Sequence, residues 1–216
     1  MARRVAGITV DNVDDLPLPC RACVFWEHGP RADADPPAGT GTAQSGKEDW
    51  ISAVLLDWGC CGSVVHVDGE LAGFVLYAPA GYVPRSEAFG SSPVAPDAVL
   101  LMTARVAPDF AGEGIGRLLI QAAAKDLIRR GFRAVEAFGR VTSAVSAFDP
   151  TLPDTPCCVL PVEFLQSVGF KTVRPHGTAP RLRLELRSIA TWRDEVESAL
   201  ERLLGTVDRG GTPRTI

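Results

Sequence analysis

The stretch DFAGEGIGRLL, Asp109 to Leu119, carries glycine at 112, 114 and 116, every second position. It stands between two apolar runs. The first, VLLMTARV (Val99 to Val106), reads as a strand ending at Pro108; the second runs from Ile115 to Arg130, with apolar residues at 115, 118, 119, 122, 123 and 127. That spacing is helical, and Gly131 closes it. A strand, a glycine-rich turn and a helix together make an anion site, because the first amides of a helix lack intrahelical acceptors and the helix dipole adds positive potential there. Glycines let the main chain approach a ligand closely and take up positive φ, at a cost in backbone entropy that a plain turn does not require.

Two phosphate-binding designs fit badly. A P-loop needs four residues between its glycines and then Gly-Lys-Ser/Thr, whereas Arg117-Leu118 follows Gly116. A dinucleotide fingerprint needs G-x-G-x-x-G early in a βαβ unit; here the spacing is G-x-G-x-G, more than 100 residues into the chain.

The surroundings complete a third pattern. Val106-Ala107-Pro108 precedes Ala111-Gly112-Glu113-Gly114-Ile115-Gly116, and Phe164-Leu165-Gln166-Ser167-Val168-Gly169-Phe170 reads as a helix ending in Gly-Phe. Upstream, SVVHVDGELAGFVLYAP (Ser63 to Pro79) sets Asp68-Gly69 between two β-prone runs, a hairpin signal because a type I′ turn needs positive φ at both central residues. On these residues the chain from about Glu48 to Leu186 resembles the GNAT superfamily of N-acyltransferases. That family's pyrophosphate loop reads Q/R-x-x-G-x-G/A after a strand ending V-x-P.

The resemblance implies an α/β (α+β) fold: a mixed, mostly antiparallel sheet flanked by helices, with the strands around 99–106 and 134–138 splayed to admit the pantetheine arm of acetyl-CoA. It implies that main-chain amides of Ala111, Gly112, Glu113, Gly114, Ile115, Gly116 and Arg117 hold the pyrophosphate. The main chain near Val106 would pair with the pantetheine, and Phe164 would join the cofactor site. Two positions depart from the family pattern. Ala111 replaces a Gln or Arg, and Arg117 is the candidate to compensate for that loss. Leu165 replaces the frequent tyrosine that protonates the departing CoA thiolate, and the only tyrosines, Tyr77 and Tyr82, lie elsewhere.

The activity implied is acetyl-CoA-dependent N-acetylation, by direct transfer to a primary amine on a small molecule or a protein. The amine must lose a proton and the thioester carbonyl must be polarised. Glu136, on the strand bordering the cleft, is the first candidate base, although it also suits a sheet-surface carboxylate. Glu27, ending CVFWE, is the second, and His66 is a third that equally suits a structural imidazole. Cys158, shortly before the helix expected at Pro161, is by position a substitute proton donor.

Six cysteines form a C-x-x-C (Cys20, Cys23) and two adjacent pairs, Cys60-Cys61 and Cys157-Cys158. Cys20, Cys23 and one cysteine from each pair could hold a structural zinc; alternatively the thiols pack as small apolar groups. The competing function is therefore a non-catalytic CoA-binding module, or a cysteine-based zinc or redox regulator, on the same fold.

The 216 residues suit a single domain over 1–205, with a mobile internal loop at 29–46 (GPRADADPPAGTGTAQSG) and a disordered tail at 206–216. A helix is expected from Glu48 to about Gly59, loops at 82–97 and 139–158, a helix over 161–167, and strands at 171–174 and 182–186. Trp192, Val196, Ala199, Leu200 and Leu203 give a closing amphipathic helix that would serve a homodimer as readily as the core. The three long loops would roof the acceptor, and their acidic residues (Asp33, Asp35, Asp149, Asp154) suit a cationic amine or plain solvation. A net charge of −4 spread along the chain leaves no basic footprint for nucleic acid. With no secretory h-region and no membrane span, a cytoplasmic location is expected.

Overall fold

Asp68 and Gly69 both take positive φ, 49° and 93°, and fold β2 back onto β3 as the hairpin signal requires. The computed structural model describes residues 2–29, 43–141 and 158–186. Within them the strands are β1 (Arg3–Gly7), β2 (Gly62–Val67), β3 (Glu70–Ala78), β4 (Ala98–Val106), β5 (Ala134–Arg140), β6 (Leu160–Pro161), β7 (Lys171–Arg174) and β8 (Arg181–Glu185). The helices are α1 (Leu18–Arg21), α2 (Ala43–Trp58), α3 (Ile115–Arg129) and α4 (Val162–Ser167).

The strands join one sheet in the order β1-β2-β3-β4-β5-β8-β7, antiparallel except where β4 meets β5. That parallel contact ends early, at Leu100↔Glu136. From Leu101 to Val106 the β5-facing edge of β4 therefore has no partner strand among the described residues. On its other side β5 stays paired, first with β8 and then through Gly139 N–H to Pro180 O and Val141 N–H to Thr178 O. The remaining side of β5 takes up β6, with Gly139 opposite Leu160 and Arg140 opposite Pro161. So β4 and β5 part like a wedge, and β6 lines the β5 wall.

Side chains alternate across each strand, so the sheet buries two cores. One, containing Trp26, Ile51, Val54, Phe74, Leu100 and Phe138, is covered by α2 and the N-terminal segment. The other, containing Val75, Leu101, Ile115, Leu119, Leu127 and Leu165, lies under α3 and α4. α3 settles close to the sheet at Gly73 of β3, where a β-carbon would stand 2.5 Å from the Arg105 carbonyl oxygen and 3.1 Å from Leu119.

Several boundaries differ from the sequence expectation. α2 starts at Ala43, inside the stretch expected to be a loop. Local propensity argues against a helix through Gly46, but Gly46 packs on Val24 and Lys47 pairs with Glu27, and those tertiary contacts override it. The 82–97 loop is partly ordered into 3-10 turns at Ala80–Tyr82 and Pro84–Ala88, with Arg85 buried beneath; it donates to the Phe25 carbonyl and lies over that ring at 4.9 Å. Pro161 is the residue before α4 rather than its first, because it pairs with Arg140. The 3-10 turn Val10–Asp15 and the single turn α1 are too short to carry a helical period and were not expected. The core of the 29–46 stretch, residues 142–157 with Asp149, Asp154 and Cys157, the closing helix and the 206–216 tail lie outside the described residues. Among the described residues no helix is long and apolar enough to cross a membrane.

Candidate active site

The three glycines of the opening stretch serve two different physical needs. Gly112 and Gly114 sit at φ 83° and 80°, which ordinary side chains rarely tolerate, and a β-carbon at either would meet nothing within 4 Å. The turn therefore faces open space. Gly116 has no such φ; instead a β-carbon there would stand 2.9 Å from the Phe164 ring. Gly114 caps α3, and the first i→i−4 bond runs from Leu118 N–H to the Gly114 carbonyl, so Ile115, Gly116 and Arg117 present amides without intrahelical acceptors.

Charged side chains brace this turn. Arg3 of β1 donates to the Glu113 carbonyl at 3.2 Å and approaches its carboxylate at 3.8 Å. Arg117 donates to the Ser167 carbonyl at 3.1 Å, tying the start of α3 to the end of α4. Ala111 is exposed. Val106 closes the group, its Cγ2 3.7 Å from a β-carbon at 116.

On the opposite face of the sheet the N-terminal segment meets the entrance to β6. Trp26 stacks on Phe89 at 5.4 Å and on Phe138 of β5 at 6.4 Å, and its indole N–H donates to the Cys158 carbonyl at 3.2 Å. Cys23 Sγ lies 3.1 Å from Cys158 Sγ. The Cys158 thiol, hydrogen-bonding to Cys23, lowers the Cys23 pKa to about 6; the Phe25 amide and Lys47 add to this, against burial and Glu27. Glu27 and Lys47 form an ion pair, both side chains almost fully buried, and Glu27 Oε2 has no hydrogen-bond partner among the described residues. Arg105 of β4 donates to Cys20 Sγ at 3.5 Å, bringing the C-x-x-C to that strand.

Glu136 belongs to the last β4–β5 pair before the strands part, and it is buried. Its Oε1 lies 3.2 Å from Arg183; its Oε2 lies 3.0 Å from Arg181 and accepts the Ala95 amide at 3.0 Å. His66 faces Asp15, with Nε2 3.7 Å from Oδ2. Leu165 is fully buried in the α3–α4 core. Tyr77 lies in the same core, its hydroxyl donating to Asp126 at 3.0 Å beside Cys60, and burial pushes its pKa up. Burial also pushes the Cys61 thiol up to about 12. Among the described residues no group of three or more His, Cys, Asp or Glu is placed to hold a metal.

A wedge between two parallel strands, with a glycine turn and helix start at the end of one of them, is the arrangement that the sequence resemblance implied. Residues 25–147, more than half of the chain, match the family model described as the acetyltransferase (GNAT) family. The chain belongs to the GNAT acetyltransferase family. Solved structures of the same fold include N-acetyltransferase from Staphylococcus aureus Mu50 (13% identity, TM-score 0.52, covering 86% of this chain and 99% of that one). Another is yncA from Salmonella typhimurium with its cofactor acetyl-CoA (14%, 0.51, 86% and 95%). A third is aminoglycoside acetyltransferase AAC(6')-Ib in complex with coenzyme A (11%, 0.53, 89% and 99%). At such identities the likeness is one of fold. No curated protein matches the sequence.

The residues present fit a GNAT cofactor. The free edge of β4, the positive-φ glycines facing open space and the unbonded amides of α3 supply main-chain donors of the kind that a pyrophosphate and an extended arm would take. Sequence reading missed Arg3, Lys47, Arg105 and the pairing of Cys23 with Cys158. The scarcity of lysine marks Lys125 and Lys171 as much as Lys47, so it offered no signal for the pair with Glu27. Contacts spanning 20 to 135 residues leave no local pattern.

Proposed function

We propose that this GNAT chain binds acetyl-CoA along the free edge of β4 and the glycine turn, and transfers its acetyl group directly to a primary amine. The observation that carries this reading is the parting of β4 from β5 after Leu100↔Glu136, with the turn Ala111–Gly114 at the end of β4. Bound there, acetyl-CoA supplies an activated thioester. The amides of residues 111–117 bind pyrophosphate, with Arg3 adding positive potential. Main-chain groups between Leu101 and Val106 would orient the extended arm, and one of those amides would polarise the carbonyl.

Glu27 is the base. One of its oxygens is held by Lys47; the other, buried and without a hydrogen-bond partner among the described residues, would accept the amine proton. Glu136 receives no proton-transfer role, because two guanidinium groups and an amide already engage both its oxygens; it fixes β5 against β8. Cys158, two residues before β6 and with its Sγ 3.1 Å from Cys23 Sγ, is in this reading the proton donor in place of Leu165.

Calorimetric titration with acetyl-CoA tests the reading. Micromolar binding, abolished by Gly114→Trp, places the cofactor on the turn; no binding by the intact protein overturns it. The buried Leu165 favours one second reading, a CoA-binding module without turnover. Release of free CoA thiol in the presence of an amine separates the two.

A further inference from the structure

The contact between Cys23 and Cys158 joins positions 135 residues apart in sequence, with the two sulfur atoms at 3.1 Å. A disulfide needs about 2.05 Å, so small side-chain rotations close the distance. Both backbones are already held: Cys23 N–H donates to the Cys20 carbonyl, and the Cys158 carbonyl accepts the Trp26 indole N–H. The two thiols also differ in access. Cys23 is half-buried, whereas Cys158 is buried, the asymmetry expected of an attacking thiol and its resolving partner. The Cys158 hydrogen bond and the nearby Lys47 favour the thiolate of Cys23, which is the nucleophilic form.

We propose that Cys23 and Cys158 form a reversible disulfide that turns acetyl transfer down, with a hydroperoxide as the oxidant. The Cys23 thiolate attacks the outer peroxide oxygen, forming a sulfenic acid as the O–O bond breaks, and the departing alkoxide or hydroxide takes up a proton. Cys158 sulfur, losing its proton, then attacks the sulfenic sulfur and expels hydroxide, which leaves as water. The two thiols together lose two electrons and two protons; with hydrogen peroxide the products are one disulfide and two waters. A dithiol or phosphine reverses the change.

The bond would tie the segment carrying Trp26 and Glu27 to the entrance of β6 and α4, on the sheet face opposite α3. It consumes the proton on Cys158 and shifts Glu27's segment by a fraction of the ~1 Å that separates contact from bond. A misplacement of a full ~1 Å can cost about 100-fold in rate, and a fraction of it correspondingly less. The switching, though not the bond, rests on the acetyltransferase reading above. The glycine turn is not engaged, so acetyl-CoA binding persists.

The test uses the full chain, reduced with a phosphine and then treated with hydrogen peroxide. Peptide mapping by mass spectrometry is expected to find Cys23 linked to Cys158, with two of the six thiols lost and recovered on reduction. Cys158→Ser should instead leave a sulfenic acid on Cys23, captured by a 1,3-dione, and the oxidised wild type should gain roughly 5 to 15 °C in Tm. Amine turnover is expected to fall at least tenfold on oxidation, while the acetyl-CoA Kd changes by less than twofold. A link through another cysteine, irreversible over-oxidation without a link, or one zinc per chain removed by Cys23→Ser overturns the bond. A mapped bond with unchanged turnover overturns the switch. Absence of turnover in the reduced protein overturns the acetyltransferase reading and its switching together, while the map still decides the bond.

Discussion

Phe164 of α4 lies against Gly116 of α3, so closely that a β-carbon at 116 would stand 2.9 Å and 3.2 Å from two carbons of its ring. This contact and the Arg117–Ser167 bond join the second signature to the glycine turn, which makes α4 part of the wall of the proposed cofactor site. Gly116→Val should drive the ring away, costing about 1–3 kcal/mol and weakening acetyl-CoA binding. Phe164→Ala should restore much of the stability of that variant, since the two positions are coupled. Gly112→Ala, at φ 83°, should cost about 1 kcal/mol and respond to Phe164→Ala only additively. Denaturant titration of the double-mutant cycle decides; additive behaviour at both glycines would refute the packing role.

The fold was legible where its causes are local. Asp68-Gly69 dictates a hairpin by its φ preference, and the 3.6 period from Ile115 marks α3 within a residue of its end. The site was half legible. The glycine spacing located the turn, but a sequence cannot distinguish a glycine needed for φ, as at 112 and 114, from one needed for space, as at 116. Glu136 was placed on the right strand, yet its partners Arg181 and Arg183 come from β8, and their facing positions depend on a register set by the whole sheet. Helix α2 extended through Gly46 for the same reason: contacts with the segment at 24–27 decide it.

Tyr77 offers a test of whether either tyrosine stands in for the family's acid. Its hydroxyl is buried, donates to Asp126 and lies beside Cys60 in the α3–α4 core. Asp126 keeps Arg129 and Arg130 as partners when that donor is removed. Tyr77→Phe should therefore cost about 0.5–1.5 kcal/mol and leave kcat for amine acetylation within twofold. A loss of 100-fold or more in kcat with stability preserved would make Tyr77 the acid.

Asp97 gives the structure an acid-sensitive contact. Hydrogen bonds from Arg183 hold its carboxyl below the usual carboxylate range, against the opposing effect of burial. A depressed pKa means the contribution is present above the unfolded value, near 3.9, and is lost as pH falls through the folded one. The side chain is 44% exposed, so solvent screening limits the effect to below about 1 kcal/mol. Asp97→Asn should lower stability by that amount at pH 7, and the difference from wild type should shrink below about pH 4. Urea midpoints at pH 7 and pH 3 measure it; a constant difference would show that Asp97 titrates alike in both states.

Glu136→Gln should damage stability more than chemistry. The substitution leaves Arg181 and Arg183, both largely buried, facing a neutral amide, and breaking one side of such a cluster costs about 3–5 kcal/mol. Arg183 keeps Asp97 and Glu185 as partners, so the lower end of that range is expected. Turnover per folded molecule should stay within a few-fold of wild type. A stable variant with kcat reduced 100-fold or more would instead restore Glu136 as the base.

Glu27 and Lys47 separate catalysis from stability in the opposite way. Both side chains are almost completely buried, and each is the ion-pair partner of the other. Lys47→Met leaves the carboxylate uncompensated in a desolvated site and should cost about 3–5 kcal/mol. Glu27→Gln leaves the ammonium uncompensated and should cost a similar amount, but it also removes the buried carboxylate acceptor at Oε2. Replacing both, Glu27→Gln with Lys47→Met, discards the charges together and should recover most of the lost stability. If Glu27 takes the amine proton, that stable double variant should still lose 100-fold or more in kcat, within the range expected when a general base is removed. Its acetyl-CoA affinity should be unchanged, because the glycine turn lies beyond the opposite face of the sheet. Full turnover by the folded double variant would reduce the pair to a buried structural contact and leave the base to be sought elsewhere.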